Sequence, residues 1–420
     1  MEHQIENNAK YPKSYWERIE LFENAVACRE KGRIVVAPQI QYLPIFLYEE
    51  TTIRKVMEDY TNAYAPWMRY HEEYQPDLAW GLQSIFPSPF LEAMGCNYVK
   101  WPGKHIKEDK IGFQVVEGEY MLQDEYMDYA NDPTGYMMTK VLPRQFSKLG
   151  GLAKVDLSNV LYLGAMYQIL PFALPDVQET MDSLKKAGEE AMRAVAANGK
   201  LMEMLAKGGW PAANEFVANV PFDVFNDTLR GVMNATMDMY ECPDEMLCAI
   251  EATTKIQIRK IKEHMMKFPT RSVYFYMHNG TDEFMRTSLF EKFYWPGLKA
   301  CIDTVIEMGG VAKVYTQGNV EQKLDILAEV PAGKVIYYII DTDIKKAKEK
   351  LGRVACLAGG VDGVLLQYGT KEQVIRNVRE VLEICMPGGG YILDTKIQLD
   401  NARPENLHAL FDTAFQYGVY

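Results

Sequence analysis

Over roughly its last 150 residues the chain alternates short apolar runs rich in Val, Ile, Tyr and Phe with amphipathic helical stretches, and each apolar run ends in polar or glycine residues. Runs that recur about every 20 to 40 residues with a helix between them specify parallel neighbours, because parallel strands need a crossover connection. The expected fold class is therefore α/β, a distorted (β/α)8 TIM-like barrel whose chemistry sits at the strand ends.

The expected strands are Gly32 to Pro38, Asp77 to Leu82, Glu215 to Pro221, Val273 to Met277, Val311 to Tyr315, Lys334 to Ile340, Val354 to Leu357 and Gly390 to Leu393. Thr51 to Tyr74 reads as an amphipathic helix capped by Thr51 or Thr52, and Gln178 to Lys207 as a long helix stopped by Gly208-Gly209. Thr370 and Gln373 have the capping-box order, with Val374, Val378, Val381 and Cys385 following at helical spacing, and Asp343 caps a helix that ends at Leu351-Gly352. Between Trp101 and about residue 150 the pattern is broken and rich in Tyr, Met and acidic residues, which fits an insertion (101–150) covering the barrel mouth. Residues 31–420 then form one barrel domain behind an N-terminal segment, 1–30.

The chain's 420 residues carry a formal net charge of -12 and no run of five basic residues, so a phosphate backbone would be repelled and nucleic acid is excluded as a partner. The start, Met1 to Glu6, lacks the basic and apolar regions of a signal peptide, and no segment has the apolar length of a membrane span, so a cytoplasmic protein without a membrane partner is expected. The seven cysteines are scattered without Cys-x-x-Cys spacing and read mostly as reduced core residues.

One apolar run stops at His278-Asn279-Gly280-Thr281-Asp282, a titratable cluster where barrel enzymes act. His278 is the first catalytic candidate, against a structural histidine bonding to a loop carbonyl. Asp282 and Glu283 either orient it or cap the next helix; Asp223, ending the strand that starts at Glu215, is a catalytic candidate or a cap. His3, His71, His105, His264 and His408 fall on a terminus, on helices or on the insertion, and read as solvated. Gln41, Gln317 and Tyr315 lie near strand ends with polar groups suited to a substrate oxygen. Glu117 and Glu119 offer acid or metal ligands, or else form a charged lid face. The Tyr and Met stripe from Tyr120 to Met138 is a substrate wall, a partner contact or lid packing. Gly359 and Gly360 would let a cofactor approach backbone amides, although no phosphate-loop spacing is present, and Gly388-Gly389-Gly390 reads as a turn into the last strand.

Several segments together resemble the uroporphyrinogen decarboxylase superfamily: Phe290 to Lys299, Ala358 to Gly363 with Tyr368-Gly369-Thr370, Gly388 to Leu393, Pro404 to Leu407, Val220 to Asp223, and Trp101-Pro102-Gly103. The resemblance implies a distorted β/α barrel with its site at the C-terminal ends of the strands. It also implies one of two activities, decarboxylation or methyl transfer to or from a corrinoid (cobalamin) on a separate protein. The decarboxylases of this family bind a polycarboxylate through a paired-arginine motif around Arg-Tyr-Leu-Pro. Here Gln39-Ile40-Gln41-Tyr42-Leu43-Pro44 keeps Tyr-Leu-Pro but no guanidinium. Methyltransferases of the family acting on thiols use a His-x-Cys zinc pattern with a distant Cys, and the matching positions, Tyr315-Thr316-Gln317 and the neighbourhood of Tyr391, hold no such ligand.

The resemblance thus favours a methyltransferase that demethylates a small substrate, for example a methoxylated aromatic compound (O-demethylation), and passes the methyl group to the cobalt of a corrinoid-binding protein. An ether methyl is a poor electrophile, so such an enzyme must protonate or polarise the leaving oxygen. The alternatives are a decarboxylase or other lyase acting on a non-porphyrin acid, and a non-catalytic barrel that binds a ligand. Zinc held by His278 with two carboxylates is kept as an option, and a homo-oligomer is compatible with the chain.

Overall fold

The longest strands arise where β-branched and aromatic residues run together between turn signals, as in Ser272–Met277 and Val311–Thr316. The computed structural model describes residues 10–82, 85–213 and 215–420; His3 lies outside the described residues. Its strands are β1 (Val35–Val36), β2 (Val99–Lys100), β3 (Gln114–Val115), β4 (Phe216–Ala218), β5 (Ser272–Met277), β6 (Val311–Thr316), β7 (Val335–Ile339), β8 (Cys356–Val361) and β9 (Tyr391–Thr395). Seven of these form one sheet in the order β1-β9-β8-β7-β6-β5-β4, with every neighbour parallel, as the helix-separated spacing requires.

The two ends of that sheet meet through residues 77–79. The Asp77 amide donates to Val36 O at 2.8 Å, the Ala79 amide to Pro211 O at 2.8 Å, and the Ala213 amide to Ala79 O at 2.8 Å, which carries the ring from β1 round to the approach of β4. The expected strand at Asp77 to Leu82 is thus reduced to a bridge, for a physical reason. The Asp77 carboxylate takes the Val36 amide at 2.8 Å and the Arg33 guanidinium at 2.6 and 2.7 Å, replacing ladder bonds with a buried ion pair.

Other boundaries also moved. Thr51 to Tyr74 is three pieces, Ile53–Glu58, Tyr60–Ala63 and Tyr64–Tyr74, because Asp59 turns extended and its carboxylate accepts from the Thr61 amide; Thr52 is the cap of the first piece. The strand expected at Val354 to Leu357 starts later and runs on through Gly359 and Gly360, whose φ values of 114° and 93° only glycine holds without strain. The long helix Pro175–Gly208 ends at Gly209, and the caps at Asp343 and Thr370 form as the sequence indicates.

At the N-terminal end of the ring the helix Lys13–Val26 sets Phe22 beneath Lys313, whose ammonium lies 4.7 Å from the ring centroid and donates to Ala213 O. Burial lowers the Lys313 pKa to about 8. At the opposite end, residues 110–121 run across the strand termini. Lys110 pairs with Glu49 at 2.7 Å, Gly112 abuts the Tyr42 ring, Glu117 accepts from the Val232 amide at 2.6 Å, and the Tyr120 and Met121 amides donate to Leu229 O.

Candidate active site

Strand alternation fixes what the mouth of the ring presents. Along β5, Tyr274, Tyr276 and then His278 project to one side, and the registers Tyr276↔Tyr315 and Tyr315↔Tyr338 put their counterparts on β6 and β7. The rings follow: Tyr276 lies 4.8 Å from Tyr274 and 5.7 Å from Tyr315, and Tyr315 lies 6.1 Å from Tyr338. One step beyond the pair Met277↔Thr316 stand His278 and Gln317, and Gly360↔Asp394 occupies the same rim on β8 and β9.

His278 is the centre of a carboxylate cluster. Its Nδ1 lies 2.5 Å from Asp227 Oδ2, its backbone amide donates to Asp223 Oδ2 at 3.0 Å, and its side chain remains 39% exposed, so Nε2 is left for a reacting molecule. Burial alone would lower the imidazole pKa, but the hydrogen bond and charge of Asp227, with Asp223 behind it, raise it above the ordinary value. Asp223 is buried and also accepts from Tyr294 Oη at 2.5 Å. Burial, then the charge of Asp227, pushes its carboxyl up to about 7. Asp227 is further held by the Asn279 side-chain amide. Its position follows from the local chain: Pro221 starts a helix at Pro221–Asp223, and a π-turn over Val224–Leu229 sets Asp227 beside the end of β5.

A second acid sits across the mouth. Asp394 at the end of β9 is 1% exposed, its Oδ1 accepts from the Gln39 and Thr395 amides at 2.7 Å each, and burial raises its pKa to about 7. Gln39 Nε2 donates to Tyr274 Oη at 3.2 Å while its Oε1 is buried without a partner.

The other candidates fall in different places. Asp282 does not orient His278, which corrects that expectation: it pairs at 2.6 Å with the fully buried Lys323 and caps the turn at Gln322. Glu283 accepts from the Asn319 amide. Tyr315 is in the mouth wall, Gln317 is exposed at the rim, and Gln41 donates its amide to Leu399 O. Glu117 and Glu119 are exposed in the crossing segment, Glu119 paired with Arg230. Gly359 and Gly360 are buried in β8, where an added Cβ would meet Ile339 O at 2.4 Å or Val381 at 2.9 Å; they do not offer a surface to a cofactor. Within the Tyr and Met stripe, Tyr126, Tyr129 and Tyr136 are buried and bond to Asp238, Thr253 and Glu125, which is internal packing of the helices that follow the crossing segment. His71 is also corrected: it is fully buried, bonded to Trp67 O at 2.7 Å, and burial lowers its pKa to about 4.

Asp227, Asp394 and Tyr294 had no role in the sequence reading. Asp227 stands four residues after Asp223, a spacing that puts two carboxylates on one helical face, and Asp394 directly ends the apolar run Tyr391-Ile392-Leu393, as His278 ends its own. Among the described residues no three His, Cys, Asp or Glu side chains form a group that could hold a metal ion. Asp223, Asp227 and His278 are turned into bonds with one another and with the chain, so the zinc option does not fit these residues.

The family model described as uroporphyrinogen decarboxylase (URO-D) matches residues 217–417, the half that carries β5 to β9 and the rim cluster. Among solved structures the chain is similar to a methyltransferase from Methanosarcina mazei, at 14% identity and a TM-score of 0.59, covering 94% of this chain and 98% of that one. No curated protein matches the chain significantly. Among the described residues no helix is long and apolar enough to cross a membrane.

Proposed function

From the premise that this chain belongs to the uroporphyrinogen decarboxylase superfamily, we propose that it is a methyltransferase that demethylates a small methylated compound, with a methoxylated aromatic as the leading substrate class. The observation that carries the reading is His278, held by Asp227 through Nδ1 and open through Nε2. A corrinoid on a partner protein would supply the reduced cobalt that accepts the methyl group. The chain's own task is then to deliver a proton. As the carbon–oxygen bond breaks, its electron pair stays on oxygen, and the His278 imidazolium gives that oxygen its Nε2 proton. Asp227 keeps the ring charged and fixes its orientation, and Asp223 fixes the turn through the His278 and Asn279 amides. The tyrosines of the wall and Gln317 would seat an aromatic, oxygen-bearing molecule.

The lyase alternative draws on the family match itself. Against it, Gln39, Gln41 and Gln317 are uncharged where a carboxylate substrate needs cations, and the rim carries three aspartates. The insertion at 101–150 belongs to this proposal as the cover of the mouth, and a cytoplasmic location as the setting that reduced cobalt chemistry needs. The test is incubation with a reduced corrinoid protein and a panel of methylated compounds, followed by the cobalt absorption spectrum. Methylcobalt formation with at least one methyl ether, lost in His278→Ala, is the expected result; a flat spectrum across the panel with folded protein would refute it.

A further inference from the structure

Asp227 is carried by a π-turn, Val224–Leu229, a wide coil that is rare as a free-standing element and leans on its surroundings. Its closing bond runs from the Arg230 amide to Phe225 O at 2.8 Å. The last carbonyls of the turn are taken up from outside it. Thr228 O accepts from Gln145 Nε2 at 3.3 Å, and Leu229 O accepts from both the Tyr120 and Met121 amides, at 2.7 and 2.8 Å.

Arg230 returns the contact. Its side chain is 4% exposed, and Nη1 donates to Met121 O at 2.6 Å and to Glu119, while Nε and Nη2 hold the Asp238 carboxylate at 2.6 and 3.3 Å. Asp238 also accepts from Tyr126 Oη and Gln123 Nε2, each at 2.9 Å. One guanidinium thus gathers the crossing segment, the end of the turn that carries Asp227, and the helix Val232–Glu241. An ammonium at this place would keep the charge but not the rigid fork that serves a carbonyl on one edge and a carboxylate on the other.

We propose that Arg230 is a positioning residue for the proton donor: it locks the crossing segment to the π-turn and so fixes Asp227 against Nδ1 of His278. This role rests on the reading of His278 as the acid, yet it is a property of the free protein and is measured without substrate or corrinoid. It ties covering of the mouth to arming of the acid, since residues 119–121 cannot leave the mouth without releasing Leu229 O and the Arg230 guanidinium. The charges that act on the imidazole are those of Asp227 and Asp223, so a change at Arg230 reaches the ring through the place of Asp227.

NMR titration of the His278 imidazole in Arg230→Lys tests this. The variant keeps a cation beside Asp238, and circular dichroism checks that it folds; His278 should bind its proton about tenfold more weakly than in the wild type, because the Asp227 contact is loosened. Arg271→Lys is the control: Arg271 pairs with Glu215 at the far end of the strand that leads to His278, and its loss should leave the titration unchanged. In the wild type, native-state hydrogen exchange needs no variant. The Tyr120, Met121 and Arg230 amides should open as one unit, with protection factors within about threefold of one another, and this result decides alone if Arg230→Lys does not fold. An unchanged titration in folded Arg230→Lys, an equal shift in Arg271→Lys, or crossing-segment amides that open independently of Arg230 would each overturn the proposal. The expected shift in a protein that transfers no methyl group would sink the methyltransferase reading and leave the role of Arg230 standing.

Discussion

The imidazole Nδ1 of His278 meets the carboxylate Oδ2 of Asp227 at 2.5 Å across 51 positions of sequence, and that contact decides which ring nitrogen faces the mouth. Because the hydrogen bond and charge of Asp227 are the main influences raising the imidazole pKa, removing them leaves burial opposed by the charge of Asp223. In Asp227→Asn the pKa of His278 should therefore fall. The sign for stability follows: the raised pKa contributes stability that is complete below the unfolded value, 6.5, and is lost as pH rises through the folded one. Turnover should show the same sense, with the alkaline limb moving to lower pH and the rate near pH 8 dropping about tenfold or more. NMR titration of the imidazole and a pH–rate profile check both statements; an unmoved limb would remove His278 as the acid.

His278→Ala should abolish methyl release while changing unfolding free energy by less than about 2 kcal/mol. The side chain is 39% exposed and no packed core closes over it, so truncation leaves no sealed cavity. Chemical denaturation beside the cobalt assay separates the two quantities.

Asp282 behaves in the opposite way. Its partner Lys323 has a fully buried side chain, and Asp282 itself is 8% exposed, so Asp282→Ala leaves an ammonium in the interior without its counter-charge. A loss of about 3 kcal/mol or more is expected on urea unfolding. The rate constant of the protein that remains folded should be unchanged, which distinguishes this pair from the His278 cluster.

These contrasts show what the sequence could carry. Strand-end position was legible for His278 because an apolar run terminates on it, and the same pattern at Asp394 was readable although it had been given no role. The parallel order of the sheet followed from the helix spacing, and the caps at Thr370 and Asp343 from local chemistry alone. The partner of His278 was not legible. Asp282 is near in sequence, but the chain turns it toward Lys323, while Asp227 arrives from another strand's loop through a π-turn that no hydrophobic period announces. Burial of His71 was hidden for a similar reason: its imidazole packs edge-on against Trp210, far along the chain, on a face set by tertiary contacts.

Asp394 gives stability a pH dependence of its own. Its carboxyl is 1% exposed and raised by burial from 3.8 to about 7. With a raised folded pKa, the stability it lends is complete below the unfolded value and declines as pH rises toward 7, because the native state must then hold a buried charge. Asp394→Asn keeps an oxygen for the Gln39 and Thr395 amides and removes the charge. The variant should therefore gain on the wild type with rising pH, by about 2 kcal/mol more near pH 8 than near pH 5. Urea unfolding at the two pH values reads this difference directly. Equal gains at both would mean that the carboxyl ionises as freely in the fold as in the open chain, and would remove the second acid from the mouth's proton inventory.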